Sequence, residues 1–249
     1  MTEFARAQGV SEADEFTWRR KLAIMCRIVG LQESIGLFGH ISIRIPGTDV
    51  VLMTPGAGSE KTVVRTDQIF VFGMDGKIHY HPGGDRPMQI PAEWRIHTQI
   101  HKDRPEIGSV AHLHAHASTL LGIARKPSQP VFAQGALFKD GVPVWDNPRL
   151  VVTDAMAVSL SQSLGDKRAC QMRGHGSVVV GATAEACLVG CTFMEENARY
   201  QIEGDALGGA VPMSAEEIAD CARGSVGGGL ERMLWEYWER RVTVEGIPL

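Results

Sequence analysis

The chain has no apolar run approaching the roughly 18 residues that cross a bilayer. Its opening stretch, MTEFARAQGVSEADEF, lacks the apolar core of a secretory signal. Neither sign of charge dominates: 25 Lys and Arg against 29 Asp and Glu leave a formal net charge of -4. That provides no positive field for nucleic acid or an anionic membrane, so neither is expected as a partner. Cysteine is sparse. Cys26, Cys170, Cys187, Cys191 and Cys221 form no CxxC pair, and an odd number suits a reducing cytoplasm better than a disulfide framework. Cys187 and Cys191, four apart in an expected helix, have a spacing that can hold a metal, though free packed cysteines are the plainer reading.

What is present is the composition of an ordinary globular protein, 44% hydrophobic and 22% charged, and 249 residues suffice for a substantial core. The hydrophobic pattern is mixed α/β without internal repeats. EFTWRRKLAIMCRIVGLQE (residues 15–33) has helical spacing and is expected to stop near Gly36. HISIRIP and VVLMTPG read as strands about a PGTD turn, and QIFVFGMDGKIHYH as a hairpin turning at Asp75-Gly76. Residues 93–103 are predicted helical, GSVAHLHAHAS a strand running into a helix, and LVVTDAMAVSLSQSLGD a short strand and a helix. ACQMRGHGSVVVG reads as a strand pair about a tight Gly174–Gly176 turn, followed by a long helix with Thr183 as N-cap. ARGSVGGG (222–229) is expected to be flexible, and the Trp-rich LERMLWEYWERRV to pack on the body or on a neighbouring subunit. No linker divides the chain, so residues 1–249 are expected to form one domain, with a core over about 15–210 and a C-terminal helical arm over 211–249.

The chemistry concentrates in histidine. In VAHLHAHAS, His112 and His114 are two apart and project from one face of a strand, with His116 next in the series. RGHG holds His175 between two glycines, where a tight turn can present the ring to a cleft. Two histidines on a strand and one from a distant turn match a three-nitrogen site with an open position. Satisfied structural histidines fit the same pattern, and the spacing alone leaves both readings open. His79, His81, His97 and His101 are read as surface or structural, and Trp94 as packing. GAGSEK (56–61) is a weak candidate for an anion-binding backbone nest.

Five segments, GHISIR, LMTPG, EWRIHTQIHKDRPEIGSVAHLHAHAS, RGHGSVVVG and CTFMEENARYQ, resemble in order and spacing those of the class II aldolase/adducin superfamily. The resemblance implies a three-layer α/β/α fold with a central, largely antiparallel sheet, and a homotetramer or a multiple of it. It places one divalent metal (Mn, Zn or Fe) per subunit on His112, His114 and His175, with Glu93 as acid/base. It gives His116 no such role.

The departures narrow the chemistry. Where the family's aldolases grip phosphate with hydroxyl and amide donors, this chain has Leu37, Gly39 and His40, then Pro91 and Ala92. Each missing charge-assisted bond is worth about 1.5–3 kcal/mol, so a phosphosugar is not the expected substrate. GHISIR instead resembles the superfamily's decarboxylase branch, which acts on hydroxylated aromatic, pyridine or ring-cleaved dicarboxylates. His40 and Glu93 are then candidate proton donors, Glu93 through a burial-raised pKa. Arg44, Lys61 and Arg173 are candidate partners for a second carboxylate, although Arg44 equally suits a strand residue that satisfies turn carbonyls. The alternatives are a metal-dependent aldolase for a non-phosphorylated hydroxy-keto acid, a non-catalytic adducin-like module and an iron-bound oxidative variant.

Overall fold

Alternation along a strand sends successive side chains to opposite faces, and β1 (His40–Arg44) uses it to separate packing from chemistry. Ile41 and Ile43 enter an apolar cluster on one face, whereas the rings of His40 and the hydroxyl of Ser42 turn to the other. The computed structural model describes residues 1–82, 88–224, 226 and 229–244. The remaining strands are β2 (Val50–Met53), β3 (Phe70–Gly73), β4 (Ile78–Tyr80), β5 (Ser109–Leu113), β6 (Val144–Trp145), β7 (Ala169–Met172) and β8 (Gly176–Gly181). They form one sheet in the order β4-β3-β2-β1-β5-β8-β7-β6. Only β6 with β7 is parallel among these pairings, so the sheet is largely antiparallel, as expected.

The helices are α1 (Glu3–Ala7), α2 (Glu12–Leu31), α3 (Trp94–Asp103), α4 (His116–Ile123), α5 (Asp154–Leu164), α6 (Ala184–Ala206), α7 (Ala215–Gly224) and α8 (Leu230–Val244). Leu22, Ile28, Leu188 and Met194 of α2 and α6 bury Ile41, Ala111, Leu113 and Val179 on one face of the sheet. Ile96, Ile100, Leu160 and Leu164 of α3 and α5 bury Val110, Val178 and Val180 on the other. This is the three-layer α/β/α arrangement. Trp235 of α8 is buried against the α2–α6 layer, while Met233 and Tyr237 remain exposed. Among the described residues no helix is long and apolar enough to cross a membrane.

Three expectations need correction. α2 ends at Leu31 rather than near Gly36, because Glu33 adopts a positive φ of 56° and Ser34 N–H turns back to the Val29 carbonyl. Residues 150–153 form no strand; the sheet's edge is β6, and the loop instead caps α5 through Thr153. The stretch 222–229 begins inside α7, and Ser225, Gly227 and Gly228 lie outside the described residues.

Candidate active site

Antiparallel register places His40 of β1 directly opposite His112 of β5, and side chains so opposed share a face. Their ring centroids are 5.0 Å apart. The approach depends on Gly39, since a Cβ there would collide with the carbonyl oxygens of Ile35 and His112. His114 lies just beyond β5, where its N–H is held by the Ser34 carbonyl and the following helix α4 begins. Glu195 of α6 fixes that helix start by accepting the N–H groups of Ala117 and Ser118 at 2.7 and 2.9 Å. His175 occupies the β7–β8 turn, with its N–H on the Met172 carbonyl. Gly176 follows it so closely packed on the Leu113 carbonyl that no side chain fits.

The turn and the strand end bring three imidazoles to one point. A ring nitrogen from each of His112, His114 and His175 lies within 4.8 Å of the others. His112 Nδ1 is 3.2 Å from the Ser177 carbonyl, which can only accept, so Nδ1 carries the hydrogen and Nε2 is bare. His114 Nε2 is 3.1 Å from that Nε2. Both ring nitrogens of His175 are buried without a hydrogen-bond partner. Converging imidazoles, one with its lone pair fixed inward and one with orphaned nitrogens, fit a divalent cation. Burial, then the neighbouring His112 and His175, pushes His114 down to about 3, which keeps it a neutral ligand.

Glu93 ends the helix α3 at its N-terminus without capping it. Its Oε1 accepts the Val151 N–H at 2.7 Å, and its Oε2 lies 3.4 Å from His112 Nε2 and 3.3 Å from His175 Nε2. Burial raises this carboxyl, but the two imidazoles and the Val151 N–H outweigh burial and hold it well below the usual carboxylate range. That direction runs against the expectation of a burial-raised acid; the donor fixed on Glu93 is the Val151 N–H, and a cation on the three histidines would act in the same direction. A nitrogen of His40 lies within 4.8 Å of oxygen and nitrogen atoms of Glu93 and His112.

The remaining candidates separate. Arg44 lies four residues from His40, about 13 Å along the strand at the usual rise, and its guanidinium holds the Thr48 carbonyl and Asp49. It is the strand residue satisfying a turn, outside the site. Lys61 is buried, with its ammonium donating to the Pro55 and Gly56 carbonyls and to Ser59 Oγ at 2.6, 2.9 and 3.0 Å. It ties down the TPGAGS loop and has all three hydrogens engaged. Arg173 adjoins the His175 turn and pairs with exposed Asp146. His116 opens α4 and is exposed. Cys187 and Cys191 are free, buried thiols.

Sequence reasoning missed the neighbours of His40. His97 and His101, read as surface or structural, are fully buried beneath it. His40 Nδ1 is 2.6 Å from His97 Nε2, His97 Nδ1 is 2.7 Å from Ser42 Oγ, and Ser42 Oγ is 3.2 Å from His101 Nε2. Burial, then each ring's histidine neighbours, holds His40 and His97 well below the usual imidazole range. Burial brings His101 to about 4. The available signal was the i, i+4 spacing of two histidines on α3 facing the alternate residues of β1. His79, by contrast, stacks flat on Phe4, with centroids 3.7 Å apart, and His81 is exposed.

This fold and this cluster define an α/β protein with a candidate metal site, and the family follows directly. Residues 20–202 match the Class II Aldolase and Adducin N-terminal domain, and the chain belongs to that family. It is 29% identical over 209 residues to a 3,4-dihydroxyphthalate decarboxylase of Terrabacter sp. (strain DBF63), covering 81% of this chain and 87% of that one. It is 31% identical over 185 residues to a 4-hydroxy-3-prenylphenylpyruvate oxygenase/4-hydroxy-3-prenylbenzoate synthase of Streptomyces roseochromogenus, covering 73% of this chain and 65% of that one. In fold it is similar to an L-fuculose 1-phosphate aldolase of Glaciozyma antarctica, with TM-score 0.82, 18% identity and coverage of 96% and 94%. The chain is an enzyme of the aldolase and decarboxylase type.

Proposed function

We propose that this protein is a metal-dependent decarboxylase of a small hydroxylated aromatic, pyridine or ring-cleaved dicarboxylate. The observation that carries the reading is the position of His40. An imidazole replaces the family's amide at the first residue of β1 and faces the same space as Glu93 and His112. The Terrabacter relative is named for a substrate with a hydroxyl beside a carboxylate, which supports the same class. His112, His114 and His175 would hold the ion, Mn, Zn or Fe. When bound it supplies a Lewis acid able to draw off the electron pair left by departing CO₂.

The chain's own groups supply the rest. Glu93, fixed by the Val151 N–H, presents a carboxylate beside the three imidazoles. His40 handles a proton at its Nε2. Arg173 takes the second carboxylate by exchanging its exposed partner Asp146, whereas Arg44 and Lys61 stay with the turn and the loop they hold. Exposed Phe38 lies beside His114, and exposed Leu37 stands where the aldolases carry a phosphate donor. Residues 1–249 act as one domain in this reading. Exposed Leu37, Phe38, Leu120 and Ile123 around the site suit a homotetramer or a multiple of it, which light scattering would read directly.

The test is product analysis with metal-loaded protein on hydroxylated aromatic dicarboxylates and hydroxy-keto acids. Carbon dioxide is the expected product. An aldehyde or pyruvate without CO₂ would transfer the protein to the aldolases.

A further inference from the structure

The chain of buried groups behind His40 has a direction, and it can be worked out from its far end. His101 Nδ1 lies 3.1 Å from the Ile107 carbonyl oxygen. A carbonyl only accepts, so His101 Nδ1 carries the hydrogen and, in a neutral ring, Nε2 is bare. That bare nitrogen takes the hydrogen of Ser42 Oγ at 3.2 Å. Having given its one hydrogen, Ser42 Oγ accepts from His97 Nδ1 at 2.7 Å. His97 Nε2 is therefore bare and accepts from His40 Nδ1 at 2.6 Å. Each link leaves a single choice for the next. The rings and the hydroxyl are buried, and among the described residues none of the hydrogen bonds from Ile107 to His97 goes to a carboxylate, the nearby one being Glu93 beside His40.

We propose that His97, Ser42 and His101 are positioning residues that lock His40 in its Nδ1–H tautomer, so that a bare Nε2 faces the site. His40 thus meets the substrate as a proton acceptor, not as the neutral donor that its place in the sequence suggested. Resting on the decarboxylase reading, the step balances as follows. The substrate hydroxyl gives its proton to His40 Nε2, and its electron pair moves into the ring. His40 Nε2–H then protonates the ring carbon that bears the carboxylate. The bond from that carbon to the carboxylate breaks, its electrons restore the ring and the phenolate, and CO₂ leaves. The phenolate takes its last proton from water. The locked tautomer is what allows one nitrogen to receive and then return the same proton.

The test is long-range ¹H–¹⁵N NMR on the full chain with ¹⁵N-labelled histidine, metal removed, for wild type, Ser42→Ala and Ser42→Thr. In the wild type, His40, His97 and His101 should each show a protonated Nδ1 and a bare Nε2. Ser42→Ala breaks the chain at its middle and should release His40 into a tautomer mixture. Ser42→Thr keeps the hydroxyl and should keep the lock. In the metal-loaded enzyme, Ser42→Ala should lower kcat about 10–100-fold with KM unchanged, and Ser42→Thr should recover it. A wild-type His40 protonated on Nε2 or on both nitrogens overturns the proposal, as does an unchanged tautomer in Ser42→Ala. The spectra need no substrate: locked tautomers in a protein that releases no CO₂ would uphold the lock and sink only the decarboxylase reading.

Discussion

Replacing His101 with Asn should flatten the protein's loss of stability in acid. His101 is buried, with Nδ1 on the Ile107 carbonyl and Nε2 on Ser42 Oγ. Burial lowers its pKa from the usual 6.5 to about 4. Between those values the unfolded chain binds a proton that the folded chain refuses, so stability rises with pH across the window and is lost as pH falls from 6.5 towards 4. At 1.36 kcal/mol per unit, the whole shift is worth about 3 kcal/mol, of which about 1.2 kcal/mol falls between pH 6 and pH 5. Asn keeps an N–H for the Ile107 carbonyl but cannot titrate. Urea unfolding of the chelator-treated protein at pH 7.5, 6 and 5, for wild type and His101→Asn, isolates the term because the other histidines titrate in both proteins. The variant should be the less stable at pH 7.5, and the gap should narrow by about 1.2 kcal/mol from pH 6 to pH 5. A gap that stays constant would refute the reasoning and show that His101 titrates alike in the folded and unfolded chain.

His175→Ala should lower metal content at least about tenfold and abolish turnover, while leaving the far-UV circular dichroism unchanged, because the ring tip meets no apolar core; elemental analysis checks it. Arg173→Gln should raise KM for a dicarboxylate about 10-fold or more, the worth of one hydrogen bond to a charged group, with kcat little changed. Arg44→Gln, at a guanidinium that holds Thr48 and Asp49, should leave KM where it is; steady-state kinetics on both variants separates the two arginines.

The pairing of His112 with His114 was readable because a strand repeats every two residues, and His175 because two flanking glycines mark a turn that few other segments build. The mixed α/β pattern was readable from alternation in HISIRIP and helical spacing in residues 15–33, whereas the three-layer arrangement came from the family resemblance. The rest was hidden for physical reasons. The His-x-His-x-His series looks continuous, yet the strand ends at Leu113 and His116 turns outward at the start of α4. Arg44 keeps the parity of His40 and Ser42, so only its partners reveal that it serves the Thr48 turn. His97 and His101 share a helix face in a charged stretch that holds Arg95, Lys102, Asp103 and Arg104, and only the packing of α3 on β1 makes that face the inside. The direction of Glu93's pKa depended on which groups surround the buried carboxyl, and those come from three separate segments.

The central claim is loss of CO₂ at a three-histidine metal site, and one measurement meets it head on. 3,4-Dihydroxyphthalate carrying ¹³C in the carboxylate beside its hydroxyl is mixed with manganese-loaded protein, and ¹³CO₂ is followed by mass spectrometry before and after chelation. The account predicts labelled CO₂ in step with substrate loss, arrested by the chelator and restored by added metal. Release that persists through complete chelation would contradict it, as would a dicarboxylate panel that yields no CO₂ while a hydroxy-keto acid is cleaved to an aldehyde.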